Sequence, residues 1–160
     1  MPAVPPSHAV ATCAYTDPCA FDIATEAGGA SMNSNTGGRA VARGKINFTT
    51  VRNFAVTEVE VIDKCNAQGT GDGLGAYLLV QADFGNGAEY VQRFPTPFKD
   101  VDGCNNGGFS SPGISYAFES GKIRRVRVQI LECDGSDGLP GDSDCFDNTF
   151  SAWKDNPHYP

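Results

Sequence analysis

The chain has 160 residues, a hydrophobic fraction of 40% and a net charge of −7, from 19 acidic and 12 basic side chains. That length fits one domain large enough to bury a real core. The acidic balance argues against nucleic acid, whose phosphates call for a basic surface, and against adhesion to anionic lipid; no apolar run approaches the roughly 20 residues of a bilayer-spanning helix.

In chain order, residues 1–12 form a proline-rich arm. Pro2, Pro5 and Pro6 favour an extended path and oppose a helix. The following His8-Ala9-Val10-Ala11-Thr12 lacks proline, so its backbone can add to a sheet edge or thread a groove. Val4, Ala9, Val10, Ala11 and Thr12 are therefore the candidate partner-binding residues. The plain alternative is a loose terminus. Residues 1–19 are read as this arm plus a small loop closed by Cys13 and Cys19, and residues 20–160 as a single β domain. The first six residues lack the basic and apolar regions of a signal peptide, so export implies a signal already removed.

Residues 20–27 alternate weakly and predict a short strand, followed by a Gly/Ser/Asn-rich loop over 28–38. Residues 39–50 alternate again, with Val41, Ile46 and Phe48 apolar and Gly44 marking a bulge. In 54–65, Val59 and Val61 alternate with Glu58 and Glu60, the pattern of a half-buried antiparallel strand. A turn over 66–73 leads to the most apolar strand, 74–84. Gly85-Asn86-Gly87 predicts a hairpin back into 88–94. Pro95-Thr96-Pro97 is expected to break the sheet pattern.

Residues 100–113 are turn-rich, and 114–119 predict a short strand. The cleanest two-residue period lies in 122–132, with Val126, Val128 and Ile130 on one side and Arg125, Arg127 and Gln129 on the other. An acidic, Gly-rich loop fills 134–147, a last strand is predicted at 149–153, and 155–160 reads as a tail. Seven to nine short strands with no helical period predict an all-β, disulfide-stapled antiparallel β-sandwich with an extended N-terminal arm.

The six cysteines reinforce this reading. An even count in a turn-rich chain indicates a disulfide framework, and disulfides persist in oxidising compartments, so the protein is expected to be secreted. Six cysteines allow 15 pairings. The local set, Cys13–Cys19, Cys65–Cys104 and Cys133–Cys145, is expected, with no free thiol.

Chemistry-bearing motifs are sparse. His8 and His158 both fall in predicted tails, where a catalytic base lacks a rigid support. Glu58, Glu60, Asp83, Glu89, Glu119 and Glu132 lie in or near strands; a hydrolase pair among them is one reading, but alternating carboxylates more often form a solvated face. A non-enzymatic protein is the favoured reading. Asp134, Asp137, Asp142 and Asp144 are candidate calcium ligands, against the simpler reading of a solvated turn, and no other cofactor is expected. Trp153, Tyr159, Tyr90, Tyr116 and Phe109 form a sugar-stacking platform, a protein hot spot, or part of the core. Arg124, Arg125 and Arg127 make a basic stripe, expected to pair with Glu58 and Glu60 across neighbouring strands or to face a partner's carboxylates. Asn47-Phe48-Thr49 matches the glycosylation triplet but falls in a predicted strand.

The segment Ile123-Arg124-Arg125-Val126-Arg127-Val128, the Cys-bracketed Asp/Gly loop after it, and Phe150-Ser151-Ala152-Trp153-Lys154-Asp155-Asn156-Pro157 together resemble the small exported β-sandwich proteins of filamentous actinobacteria. Among these the chain is similar, over roughly 40–157, to the adaptor subunits of umbrella toxin particles. The resemblance implies a non-enzymatic adaptor joining a large repeat-bearing toxin subunit to a lectin-like one, with docking through an extended N-terminal segment corresponding to 3–12. The expected function is thus a secreted interaction module within an extracellular toxin-like assembly. A carbohydrate-binding, lectin-like module is the first alternative and a secreted hydrolase the second.

Overall fold

The computed structural model describes residues 13–14, 18–25, 39–65, 69, 74–85, 91–104, 107–134 and 145–160. Two antiparallel sheets pack face to face, and there is no helix among the described residues. The strands are β1 (Cys19–Ala24), β2 (Arg39–Phe48), β3 (Asn53–Lys64), β4 (Leu74–Asp83), β5 (Val91–Asp100), β6 (Phe109–Ala117), β7 (Arg125–Asp134), β8 (Cys145–Phe150) and β9 (Lys154–Asp155). The first sheet runs β1-β2-β3-β6 and the second β5-β4-β7-β8, with β9 also paired to β7. The expected disulfide-stapled β-sandwich is thus observed, with the pairings Cys13–Cys19, Cys65–Cys104 and Cys133–Cys145 and no free cysteine.

Alternation makes the core. On β4, Ala76, Leu78, Val80 and Ala82 face inward, as do Val126, Val128 and Ile130 on β7. Phe21, Ile46, Phe48, Phe54, Val56, Val59 and Val61 answer from the first sheet. Phe54 stacks on Tyr116 with ring centroids 4.8 Å apart. Burial there pushes the Tyr116 hydroxyl up to about 12.

One irregularity crosses the first sheet. On β3 the inward row moves from even positions (Phe54, Val56) to odd ones (Val59, Val61), so one residue must be taken out of phase. That residue is Glu58, whose φ of 52° lies in the left-handed region. The β2–β3 register shifts by one here: between the pairs Arg43↔Glu60 and Lys45↔Thr57, the single residue Gly44 of β2 faces two residues of β3, Glu58 and Val59. On β6 the compensating position is Gly113, with φ 131°; a Cβ there would stand 2.3 Å from the Val56 carbonyl oxygen. The bulge expected at Gly44 is thus carried by the facing strand β3, with Gly44 opposite it on one side and Gly113 near it on the other.

Two expectations are corrected. Pro95-Thr96-Pro97 does not end the strand: β5 runs through it to Asp100. β5 is an edge strand, and its register on β4 is irregular between Tyr77 and Leu79, the setting in which missing N–H donors cost no ladder bond. Nor do residues 155–160 hang loose. Asn156 is buried, and its Nδ2 donates to the carbonyls of Ile123 (2.9 Å) and Thr50 (3.1 Å), joining both sheets. The N-terminal anchor is similar: Cys13 is buried in the main core, its carbonyl accepts from Phe48 N, and its N–H reaches the Asp155 carbonyl.

Gly113→Ala combines a disfavoured backbone with direct overlap, and is expected to cost roughly 2–5 kcal/mol in urea unfolding. A loss under about 1 kcal/mol would contradict the bulge.

Candidate functional site

The outward face of the second sheet gathers the residues of most chemical interest. The β4–β7 register sets Asp83 opposite Arg125, Gln81 opposite Arg127 and Leu79 opposite Gln129. Arg125 Nε donates to Asp83 Oδ2 at 2.7 Å, and Arg127 Nε to Gln81 Oε1 at 2.8 Å. Asp83 is 0% exposed, so its charge needs a fixed partner. Arg125 supplies one, and Gly85 N–H donates to the other oxygen.

Two aromatics are carried onto this face by a break in the edge strand. β8 ends at Phe150 and pairing resumes at β9, where Lys154 lies opposite Val126. Ser151 covers the gap: its N–H donates to the Val128 carbonyl, and its Oγ accepts from Val128 N. Phe150 and Trp153 then flank the arginine row. The Arg127 guanidinium carbon lies 3.9 Å from the Phe150 ring centroid and 4.4 Å from that of Trp153, and Arg125 lies 4.4 Å from Trp153. The result is a cation–π stack on a paired sheet, with Phe150 36% exposed at one end and a part-buried ion pair at the other. Beyond it along the same face lies a small apolar cluster of Tyr77, Leu79, Leu131 and the Cys133–Cys145 bridge.

This arrangement corrects the expected pairing of the arginine row with Glu58 and Glu60. Those glutamates are on β3, in the other sheet, and Glu58 pairs with Lys45. The structure unites Trp153 with Arg125 and Arg127 but disperses the other aromatics: Tyr116 packs on the core, Phe109 lies near Phe98, and Tyr159 donates to the Gly85 carbonyl. The carboxylates are dispersed too. Asp83 faces outward on the second sheet, while Glu132 faces inward and accepts from Thr25 Oγ1 (2.6 Å) and Ala40 N (2.8 Å). Asn47 is buried within β2, its Nδ2 donating to Thr57, so the glycosylation triplet is inaccessible in the fold. His158 makes a 3.3 Å contact from Nε2 to the Phe48 carbonyl. Val4, Ala9, Val10, Ala11, Thr12, His8, Glu89, Tyr90, Asp137, Asp142 and Asp144 lie outside the described residues, as does the side chain of Asp134, which closes β7. Phe150, Gln81 and Asp83 were not singled out together by sequence; Asp83 and Arg125 are 42 positions apart, and no local signal links them.

A second feature lies at the other end of β4. A cleft of about 310 Å³ is lined by Lys99, Asp100, Val101, Asp102, Gly108 and Phe109. Asp100 is buried, and its Oδ2 accepts from Asp63 N at 2.8 Å. Burial pushes the Asp100 carboxyl above its ordinary value and the neighbouring Asp102 pushes it further, while the Asp63 N–H pulls the other way.

No protein-family model, curated protein or solved structure matches the chain. The fold and this surface therefore define its class: a disulfide-stapled antiparallel β-sandwich with an arginine–aromatic stack on one sheet.

Arg127→Ala removes two ring contacts and leaves the Gln81 amide without its arginine. We expect a loss of about 2 kcal/mol in chemical denaturation, well beyond the ±0.5 usual for a surface side chain. A loss inside that surface range would contradict the stack. For Asp100 the sign runs toward acid: the folded carboxyl holds its proton more tightly than the unfolded one at 3.8, so its ionisation costs stability as pH rises. Asp100→Asn should therefore melt above the native chain at pH 7, with the gap narrowing toward pH 4. A gap that is negative at pH 7 would contradict the assignment.

Proposed function

We propose that the protein is a secreted, non-enzymatic interaction module, an adaptor in an extracellular assembly, and that the arginine–aromatic stack is its recognition surface. The observation that carries this reading is the stack itself. Trp and Arg are among the side chains that most often anchor protein interfaces and Phe is enriched in their cores, and here all three are held in place before any partner arrives. Pre-ordering lowers the entropy lost on binding. Exposed Phe150 offers an apolar contact beside two cations, which suits a partner surface combining carboxylates with an apolar side chain. Three disulfides are consistent with an oxidising location. The resemblance to toxin-particle adaptors supports the same role and adds the N-terminal arm as a second contact.

The lectin-like alternative needs an aromatic face open to a sugar ring. Two guanidinium groups stand over Trp153, which disfavours it.

The test compares four immobilised baits against the proteins secreted by the source organism: the native chain, Phe150→Ala, Arg127→Ala, and a chain lacking residues 2–12. A defined partner kept by the native chain and lost with either stack variant supports the proposal. Loss only on deleting 2–12 moves recognition to the arm. Reproducible glycan-array binding that disappears in Trp153→Ala makes the protein a lectin instead.

A further inference from the structure

We propose that the cleft between the end of β5 and the start of β6 receives one lysine or arginine side chain from a protein partner. The cleft and the stack lie at opposite ends of β4, so this site does not depend on the reading above.

The cleft has the chemistry of a long basic side chain in reverse. Val101, 46% exposed, and the half-buried Phe109 offer apolar walls for a methylene stem. Asp100 and Asp102 both line the cavity, and their side chains interact, which sets acidic groups beside the space for the charged head. Asp100 is only 3% exposed and its Oδ2 is fixed by the Asp63 N–H, while the exposed Asp102 beside it is the more accessible acceptor. Two neighbouring carboxyls, one of them buried, repel each other until a proton or a cation comes between them, and an incoming ammonium or guanidinium relieves that repulsion.

The volume, about 310 Å³, is at the small end of ligand pockets, enough for one side chain and too little for an oligomer. A calcium ion is the less suited occupant because it takes six to eight oxygens, and among the described residues no three His, Cys, Asp or Glu side chains stand together to supply them. Lys99 at the rim works against a cationic visitor, so the isolated side chain should bind weakly, with the rest of the partner providing the affinity.

The measurement is an amide chemical-shift titration of the full chain with Nα-acetyl-lysine methylamide, and with the uncharged Nα-acetyl-norleucine methylamide as control. Saturable shifts at Val101, Asp102 and Phe109 are expected with the lysine compound and not with norleucine. Asp102 is exposed, so Asp102→Asn should leave the rest of the spectrum intact while weakening the lysine compound about tenfold, the loss of one charge-assisted bond. Equal response to both compounds, an unchanged affinity in Asp102→Asn, or no shift at these amides would overturn the proposal. So would calcium chloride shifting the same amides at lower concentration than the lysine compound.

Discussion

The rest of the structure depends on the register between β4 and β7. The two strands pair without a break from Leu74↔Asp134 to Asp83↔Arg125. Side chains alternate across a sheet, so this single alignment decides two surfaces at once. It sends Leu78, Val80, Val128 and Ile130 into the core, and sets Asp83 against Arg125 and Gln81 against Arg127 on the other face. A slip of one residue would bury the arginines between the sheets and leave the valines outside. The hydrophobic cost of that slip is several side chains' worth of burial, each roughly 1.5–3 kcal/mol, which holds the alignment firmly.

The first sheet solves a different problem. Its inward row changes phase along β3 at Glu58, opposite Gly44 of β2 and beside Gly113 of β6. Closure then comes from side chains that reach between sheets. Glu132 extends from β7 to Thr25 and to the start of β2, Asn156 joins Thr50 to Ile123, and Cys13 sits in the core where the arm begins. Disulfides at three separate places then limit how far the loops can open.

Local pattern revealed what local physics controls. The alternation at 126–130 gave β7 directly, Val59 and Val61 gave β3, and Gly44 gave a bulge, because each depends on neighbours in sequence. Two of the cysteine pairs were legible from close spacing in turn-rich surroundings, at separations of 6 and 12, and Cys65–Cys104, 39 apart, is the pair that remains. What failed depends on distant strands. Pro95 and Pro97 look like terminators until β5 is known to be an edge. The arginine row invited glutamates from the nearest similar strand pattern, while its partners come from β4, which enters through strand order alone. Asn156 reads as tail because a single amide satisfying two carbonyls has no periodic signature. The stack was half legible: Trp153 and the arginines were each conspicuous, but their meeting needs the break at Ser151.

That break links the fold to the proposed function. An uninterrupted β8 would alternate Phe150 and Trp153 to opposite faces; the interruption at Ser151 lets both reach Arg127. The stack made this way is held by the paired strands beneath it. The most direct test is the solution proton spectrum of the native chain. The account predicts cross-relaxation between the Trp153 indole and the δ-methylene protons of Arg125 and Arg127, with those protons shifted upfield by the ring. Unshifted methylene resonances with no contact to the indole would contradict the stack, and with it the proposed recognition surface.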